Sequence, residues 1–496
     1  MISGNNVNIL ISFIVYLVGM MAIGWFFYRK TRNLADYILG GRGLNSWVTS
    51  MSAQASDMSG WLLLGLPGYA YLAGFEASWI AIGLCIGTYL NWKFVAKRLR
   101  KYTEIAGNSI TIPDYFENRF RDNSNVLRIV SAFFILVFFL IYTASGFVAG
   151  AKLFSTVFQL PYTVGLLIGA LVIISYTFLG GFSAVSWTDF IQGIIMFFAV
   201  LIVPIIGIFA IGGFDRFNQA VLDINPQLFN IFTDVNGAGL SWIAVLSLLA
   251  WGLGYFGQPH ILARFMAIKS SSQIKQARHI AMVWVVISLA CAVFIGIVGR
   301  VYLKTFLEGN ASETVFMQLV NGLVHPLPAG VLLAAILAAI MSTADSQLLV
   351  TSSAITQDFY KVLLRKSAGP RELLWIGRMA VVLVAAAAFV IALDPDSSVL
   401  GLVAYAWGGF GAAFGPLILI SLFWKRMTRN GAIAGIVSGG VTVLVWKQLQ
   451  GGIFDLYEIV PGFVLSVVVI FAVSLLDRPP GADIVAQFES VKTSDI

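Results

Sequence analysis

Charged residues are scarce in this chain of 496 residues, and their scarcity excludes most soluble proteins. Asp, Glu, Lys and Arg make up 11% of the sequence, whereas a soluble globular domain carries about 25%. So little charge cannot coat a particle of this size in water, which excludes the several soluble domains that the length alone would suggest. Hydrophobic residues reach 58% and the mean hydropathy is +0.86. The composition therefore predicts a protein of the lipid bilayer.

Cysteine and histidine are also rare, and their scarcity excludes several kinds of site. The two cysteines, Cys85 and Cys291, both lie in apolar stretches, so neither a disulfide framework nor a zinc site is expected. The three histidines are expected near the ends of apolar segments and outside any site: His260, His279 and His325. The sequence also lacks a phosphate loop, a nucleotide fingerprint and a nucleophile elbow. We therefore expect neither a cofactor nor an enzyme.

Long hydrophobic runs, by contrast, are abundant. A membrane-spanning helix needs about 20 mostly apolar residues, and strand-like alternation does not compete over such lengths. We predict an all-α polytopic membrane protein with about 13 transmembrane helices. The predicted spans are residues 7–27, 46–70, 75–95, 127–154, 161–180, 187–212, 237–258, 279–303, 327–350, 375–394, 397–423, 431–449 and 456–476.

Positive charge is distributed unevenly between the segments that connect these spans. If the N-terminus lies outside, 26 of the 31 Lys and Arg residues fall in cytoplasmic segments, as the positive-inside rule requires. The first run is followed rather than preceded by basic residues, so we interpret it as a span and not as a signal peptide. The pattern predicts an outside N-terminus and a cytoplasmic C-terminus. It also accounts for the net charge of +7 without a nucleic-acid partner.

The second span is the first place where the apolar pattern fails. Residues 50–60 contain six polar side chains and one glycine, and a carboxylate such as Asp57 costs several kcal/mol near the bilayer midplane. A polar packing site or a hairpin is one explanation, since small hydroxyl residues also serve helix–helix packing. We favour an unwound helix whose freed backbone carbonyls coordinate a cation.

The seventh span fails in a similar way, because three glycines and a proline interrupt residues 251–259. Trp251, Tyr255 and Pro259 recur every four residues, which on an α-helix places them on one face. An aromatic stripe of this kind can be ordinary packing or an interfacial anchor. Beside the glycine break, we interpret it as a binding face.

The ninth span carries hydroxyl groups in a stretch of small residues. Ser342 and Ser346 share one helical face, and Thr343 lies beside them. Hydroxyl and carbonyl oxygens together form a cage that suits a hard cation. Interhelical packing through small residues is the alternative.

The two interrupted spans are five spans apart, and this spacing predicts an internal repeat. An odd number of spans inverts the second copy relative to the first, as in inverted-repeat secondary transporters. We predict a first repeat of spans 2–6 and a second of spans 7–11. The predicted units are residues 1–45 (an extra helix and loop), 46–212 (first repeat), 237–423 (second repeat) and 424–496 (two helices and a tail).

Five local motifs resemble the sodium/solute symporter family, and the resemblance extends from the first span to about residue 478. Two of the motifs, at 53–61 and 250–260, are similar to the proline-transporting branch of that family. The motifs are GGR at 40–42, AQASDMSGW at 53–61, GGFSAVSWTDFIQ at 180–192, AWGLGYFGQPH at 250–260 and MSTADSQ at 341–347.

The resemblance implies a leucine-transporter-type core of five plus five inverted-repeat helices, with site residues at matching positions. The implied sodium ligands are the carbonyls of Ala55, Met58 and Ala339 and the hydroxyls of Ser342 and Thr343, with Asp57 serving sodium coupling. The implied substrate-binding residues are Tyr142, Trp251, Tyr255 and Pro259, with Ser59 and Gly60 in the second-span break. Arg42 and Asp189 match sensitive family positions, which we interpret as gating or structural.

The resemblance also implies an activity, which is sodium-coupled import of L-proline by alternating access. The expected partners are sodium, L-proline and the bilayer of the bacterial cytoplasmic membrane, with no obligate protein partner. Two alternatives stay open: symport of another small organic solute, and a membrane sensor that keeps the transporter fold. The sensor is disfavoured because the sequence contains no recognisable signalling domain.

Overall fold

The structure, a computed structural model, describes residues 4–28, 34–177 and 181–493. Helices connected by turns make up this part of the chain, and its β-structure is limited to two isolated bridges, Leu44 with Ile268 and Thr233 with Gly239. The prediction of an all-α protein is therefore confirmed. Gly180 of the third motif and the basic residues at 29, 30 and 32 lie outside the described residues.

The described residues form 21 α-helices, which are numbered here in chain order. They are α1 (Gly4–Tyr28), α2 (Leu34–Leu39), α3 (Ser46–Asp57), α4 (Leu66–Ala73), α5 (Ser78–Leu90), α6 (Lys97–Ile105), α7 (Ile112–Phe120), α8 (Val126–Phe158), α9 (Tyr162–Thr177), α10 (Phe182–Ile211), α11 (Phe214–Ile224), α12 (Trp242–Leu249), α13 (Pro259–Ala267), α14 (Ile274–Tyr302), α15 (Val315–Leu323), α16 (Pro326–Ser353), α17 (Pro370–Ile391), α18 (Val399–Phe423), α19 (Arg429–Trp446), α20 (Ile459–Leu476) and α21 (Ala482–Thr493). Three π-helical segments join or extend them: Trp61–Gly65, Asn91–Ala96 and Ala354–Leu364.

Eight helical stretches of the described chain are long and apolar enough to cross a membrane, and three shorter apolar helices accompany them. Each of the thirteen predicted spans overlaps at least one of the α-helices above. The prediction of many membrane-crossing helices is thus supported, while the count of thirteen stays a prediction.

Several helices lie outside the predicted spans. The stretch 96–126, interpreted from the sequence as an amphipathic connection, contains α6 and α7. Near the end of the chain, α21 folds back so that the Phe488 ring lies 6.1 Å from the Tyr102 ring of α6. With 9, 9 and 12 residues, α6, α7 and α21 are too short to cross a membrane.

The break in the second span is real and shorter than predicted. The helix α3 ends at Asp57, where the Ser59 amide donates to the Asp57 carbonyl at 2.9 Å instead of to the carbonyl of Ala55. In an unbroken α-helix the Ala55 carbonyl would accept that bond. The turn at Met58 and Ser59 therefore deprives Ala55 of its usual partner, and the chain then continues into the π-helical segment 61–65.

The break in the seventh span takes a different form from the one expected. Residues 250–257 form a 3₁₀-helix between α12 and α13, and Gln258 is extended. Because a 3₁₀-helix has three residues per turn, side chains four residues apart point about 120° from each other. The prediction that Trp251, Tyr255 and Pro259 share one α-helical face is therefore wrong.

Glycines allow this 3₁₀-helix to cross α5 at very short range. A Cβ atom added to Gly252 would lie 2.2 Å from the Gly83 carbonyl oxygen, and one added to Gly87 would lie 2.2 Å from the Gly252 carbonyl oxygen. Only glycine, which has no side chain, allows the two backbones to come this close. Such contacts fix the position of the 3₁₀-helix relative to α5.

The helix α3 occupies the centre of the molecule. It packs against α10, α14 and α16, and each of its residues except Trp47 is buried. The Asn45 side chain caps its N-terminus by accepting from the Val48 amide at 2.9 Å. A helix so rich in serine tolerates this burial because its hydroxyl groups find partners on the neighbouring helices.

Candidate functional site

Asp57 lies at the point where the broken second and seventh spans meet. It is fully buried, and its Oδ2 accepts from the Tyr255 hydroxyl at 2.5 Å. Its backbone carbonyl accepts from the Trp61 indole at 3.1 Å and from the Tyr142 hydroxyl at 3.2 Å. Its Oδ1 has no hydrogen-bond partner within the described residues. One buried residue thus joins three aromatic side chains and keeps one carboxylate oxygen unused.

A group of oxygens from α3 and α16 surrounds the carbonyl of Ala55, two residues before Asp57. The Ser342 hydroxyl donates to the Ala55 carbonyl at 2.8 Å and lies 3.2 Å from the Ala339 carbonyl. The Thr343 hydroxyl lies 3.4 Å from the same Ala55 carbonyl. Four of the five residues predicted as sodium ligands are therefore in mutual contact. The fifth, Met58, lies in the turn that ends α3.

These oxygens have the chemistry of a site for a hard cation. Carbonyls and hydroxyls are neutral oxygen donors, and a hydroxyl can turn its hydrogen away and present a lone pair. Ser342 and Ala55 are completely buried and Thr343 is nearly so, which removes competing water. The Asp57 carboxylate is close to this group, because Asp57 follows Ala55 by two residues.

Three of the predicted substrate residues surround the break. Tyr142 and Tyr255 both contact Asp57, as described above, and the Trp251 ring lies 6.1 Å from the Trp61 ring. The Trp407 indole of α18 donates to the Trp251 carbonyl at 2.7 Å. Aromatic side chains therefore surround the break, and the Trp407 side chain fixes the backbone at Trp251.

Of the other predicted substrate residues, Ser59 and Gly60 belong to the break itself, whereas Pro259 lies elsewhere. Pro259 lines a separate small cavity together with Ile135, Phe182 and Ala263. Gly60 is packed so closely that an added Cβ would lie 2.9 Å from the Ala149 side chain. The Ser59 hydroxyl is buried in the break without a hydrogen-bond partner among the described residues.

A buried ion pair, which the sequence did not reveal, lies beside the predicted cation site. Asp189 of α10 and Arg264 of α13 have no exposed side-chain surface, and Arg264 Nη2 lies 3.0 Å from Asp189 Oδ2. Ser52 and Ser56 of α3 donate to the same carboxylate oxygen at 2.7 and 3.0 Å. Arg264 also donates to Ser346 of α16 at 2.5 Å. This cluster connects four helices that each carry predicted site residues: α3, α10, α13 and α16.

The charge count placed Arg264 in a cytoplasmic segment, and the structure shows that its side chain is fully buried. Buried charges are commonly paired, so Asp189 in the first third of the apolar α10 was a signal that a cation elsewhere in the chain is buried with it. Sequence spacing could not show which one. His260 was also set aside, yet it is fully buried next to Tyr142, and neither ring nitrogen has a partner among the described residues.

Arg42 lies outside this cluster, at the junction of several connecting segments. Its guanidinium donates to Asn108 Oδ1 at 3.1 Å, to the Ser109 carbonyl at 2.8 Å and to the Met266 carbonyl at 2.7 Å. Burial, together with the Arg100 guanidinium, lowers the pKa of Arg42 to about 10, which leaves it protonated at neutral pH. These contacts fit the interpretation of Arg42 as a structural or gating residue.

Comparison with known sequences gives a consistent result. A profile of the sodium:solute symporter family matches residues 37–439. Sodium/proline symporters of Salmonella typhimurium and Escherichia coli are 52% and 51% identical to this chain, over 97% of it and 95% of their own length. A high-affinity proline transporter of Bacillus subtilis is 50% identical, over 95% of this chain and 98% of that protein.

Two solved structures match the fold. A Na⁺-coupled sialic acid symporter, in a substrate-bound outward-open state, matches with a TM-score of 0.75 and 20% identity over 96% of this chain and 99% of its own. A transporter of the nucleobase-cation-symport-1 family, in a closed conformation, matches with a TM-score of 0.55 and 13% identity over 93% of this chain and 100% of its own. Both have the leucine-transporter fold, so the predicted fold class of a multi-pass membrane protein is confirmed.

The buried ion pair leads to a prediction about stability. Arg264→Gln leaves the Asp189 carboxylate buried without its cation, and breaking such a pair costs about 3–5 kcal/mol. We expect the thermal unfolding temperature of the purified protein to fall for Arg264→Gln and for Asp189→Asn, and to recover in part in the double variant. The exposed Arg478→Gln serves as the control. A double variant as unstable as the sum of the two single variants would show that the two side chains are not coupled.

Proposed function

The chain belongs to the sodium:solute symporter family, and from that premise we propose that it imports L-proline into the bacterial cell together with sodium. The relatives that are about half identical to it over nearly their whole length carry the names of sodium/proline symporters or proline transporters. The process involves no covalent chemistry and no cofactor, and sodium is the coupling ion.

One observation carries the proposal furthest, and it is the hydrogen bond from Tyr255 to Asp57 at 2.5 Å. Asp57 ends the segment of α3 that supplies the proposed sodium ligand Ala55, while Tyr255 belongs to the proposed substrate site. Each ligand can favour one conformation of the transporter only if it interacts differently with the two states. Because this hydrogen bond joins the two proposed sites, sodium and proline can both stabilise the conformation in which it is formed.

The proposed sodium site consists of the carbonyls of Ala55, Met58 and Ala339 and the hydroxyls of Ser342 and Thr343. Sodium bound there would hold α3 against α16, with the hydroxyl hydrogens turned away from the cation. Asp57 contributes negative charge close to the ion and couples its binding to the substrate site. Asp189 and Arg264 position the serine-rich face of α3 without contacting sodium.

The proposed proline site lies between Tyr142, Trp251 and Tyr255. Proline is a zwitterion with a compact apolar ring, so its site needs an apolar surface and partners for both charges. The aromatic faces provide the surface and attract a cationic amine, while backbone groups of the interrupted helices hold the charged ends. Ser59 and Gly60 shape the break itself, and Pro259 fixes the start of α13.

The available driving force is sufficient for strong accumulation. One positive charge that crosses a membrane potential of about 120 mV contributes about 2.8 kcal/mol, and a tenfold sodium gradient adds about 1.4 kcal/mol. At one sodium per proline, the total of about 4 kcal/mol corresponds to a roughly thousandfold proline gradient. We propose that the inverted repeats 46–212 and 237–423 perform the alternating access, flanked by the units 1–45 and 424–496.

The first test measures transport itself. Proteoliposomes that contain the purified protein should take up radiolabelled L-proline when sodium is outside, and replacing sodium by choline should abolish the uptake because the proposed driving force disappears. A panel of unlabelled small solutes serves as competitors. Stronger competition by a different solute would assign another substrate, and sodium-independent binding without uptake would favour a sensor.

The second test addresses the proposed sodium ligands. Ser342→Ala removes one oxygen from the cation cage, and an apolar wall cannot replace it. We expect the sodium concentration for half-maximal uptake to rise about tenfold or more, the scale of losing one interaction with a charged group. The control is Ser353→Ala on the same helix, whose hydroxyl donates to the Leu349 carbonyl. An unchanged sodium dependence with weakened proline affinity would mean that the sites are assigned in reverse.

The third test addresses the link between the two sites. Tyr255→Phe removes only the hydroxyl that donates to Asp57, so we expect the half-saturating concentrations of both sodium and proline to increase. Trp251→Ala keeps that bond and should weaken proline affinity alone, by about 1–3 kcal/mol for the lost aromatic contact. Tyr405→Phe, on a half-buried tyrosine of α18, is the control. A Tyr255→Phe protein with wild-type values for both ligands would remove the link from the mechanism.

The fourth test addresses the proposed orientation, with the N-terminus outside and the C-terminus in the cytoplasm of a bacterial cell. In a background without Cys85 and Cys291, single cysteines are introduced at the exposed positions Ser272 and Asn310. A membrane-impermeant thiol reagent added to intact cells should label the cysteine at 310 and not the one at 272. The reverse result would overturn the orientation derived from the positive-inside rule.

A further inference from the structure

A deep apolar groove opens on the outer surface of the helices that hold the proposed sodium site. It has a volume of about 400 Å³ and lies between α3, α10 and α14. Its walls include Trp47 and Met51 of α3, Ile194 and Phe198 of α10, and Val283 and Trp284 of α14. We propose that this groove binds one acyl chain of a glycerophospholipid, with the lipid phosphate held by Lys275.

The surroundings of the groove indicate a lipid chain as its occupant. The helices α10 and α14 are both among the stretches that are long and apolar enough to cross a membrane. Val283, Trp47 and Phe198 are 60%, 55% and 52% exposed, so the groove opens outward along the spans rather than toward the protein interior. The Trp284 indole N–H is already engaged with the Gly193 carbonyl at 3.0 Å. A hydrocarbon chain matches such walls, whereas a polar ligand would lose its water without compensation.

The charge at one end of the groove matches a phosphate group. The exposed Lys275 precedes the lining residue His279 by one helical turn, so both lie on the same side of α14. The sequence of α14 contains no acidic residue, and Lys275 takes part in none of the ion pairs between described residues. Trp47, at the start of α3, has the interfacial character that favours the headgroup level. The phosphate of an anionic phospholipid would therefore lie next to Lys275, and its acyl chain would lie in the apolar groove.

A lipid in this groove would touch the segment on which the proposed sodium site depends. Met51 forms part of the groove wall and precedes Ala55 by one turn of α3. On its other side the Met51 methyl packs beside Gly193 of α10, 3.1 Å from the position of a Cβ there. A seated acyl chain thus supports α3 from the membrane side. This consequence rests on the proposed role of Ala55, whereas the lipid site itself does not.

Native mass spectrometry of the purified protein in mild detergent tests the chain-binding part. Phosphatidylglycerol is titrated into the wild type, into Val283→Trp, whose indole fills the groove, and into Val286→Trp. Val286 is 49% exposed on the same helix but outside the groove. We expect the tightest-binding phosphatidylglycerol to be lost or weakened at least tenfold in Val283→Trp and unchanged in Val286→Trp. Equal binding by all three proteins, or equal loss in both variants, would reduce the lipid to an ordinary surface contact and overturn the proposal.

The same experiment tests the headgroup. Lys275→Gln should weaken phosphatidylglycerol binding several-fold, while Lys366→Gln, which removes an exposed lysine elsewhere, should not. Diacylglycerol with the same chains but no phosphate should bind the wild type and Lys275→Gln equally. If diacylglycerol binds the wild type as tightly as phosphatidylglycerol does, the phosphate assignment is wrong. Because binding is measured without sodium or proline, the result does not depend on whether the proposed transport activity is correct.

Discussion

The hydrogen bond from the Ser342 hydroxyl to the Ala55 carbonyl is the interaction on which the arrangement of the site depends. A bilayer offers no water to backbone groups, so a helix can break within it only where protein atoms satisfy the freed carbonyls and amides. The turn at Met58 and Ser59 takes the usual partner from Ala55, and α16 supplies a hydroxyl in its place. The oxygen that makes the break tolerable is thus also the oxygen that is available to a cation.

Asp57 extends this arrangement from α3 to the seventh span. An unpaired carboxylate at this depth is costly, and the Tyr255 hydroxyl stabilises one of its oxygens. The second interrupted helix is therefore held next to the first by the same residue that carries the charge. A conformational change that separates the two helices must break this bond, so the residue is well placed to relate the proposed ion binding to the positions of the neighbouring aromatic side chains.

The pair of Asp189 and Arg264 provides hydrogen-bond partners for the serine hydroxyls of α3. The helix α3 has serines at 46, 50, 52 and 56 and so directs many hydroxyl groups toward its neighbours. The Asp189 carboxylate accepts from two of these serines, and Arg264 balances its charge while reaching Ser346 of α16. Pairing and hydrogen bonds stabilise two full charges in the interior of a membrane protein, and here the pair orients the helix that contributes the proposed ligands.

The sequence alone determined the environment, the fold class and the positions of the breaks, because each follows from local composition. Lipid excludes charge, and the polar stretch at 50–60 and the glycine-rich stretch at 251–259 differ from the apolar pattern around them, so both were identifiable without any knowledge of their neighbours. The motifs also identified Ser342 and Thr343, which the structure brings to Ala55.

Only the tertiary structure decided that residues 250–257 form a 3₁₀-helix, which separates Pro259 from Trp251 and Tyr255. It alone showed that Arg264, counted among the charges of the cytoplasmic segments, is buried against Asp189, 75 residues away in sequence. The packing of the helices determines which residue pairs with a buried charge. That packing depends on contacts between segments far apart in the sequence, and a local sequence pattern does not specify those contacts.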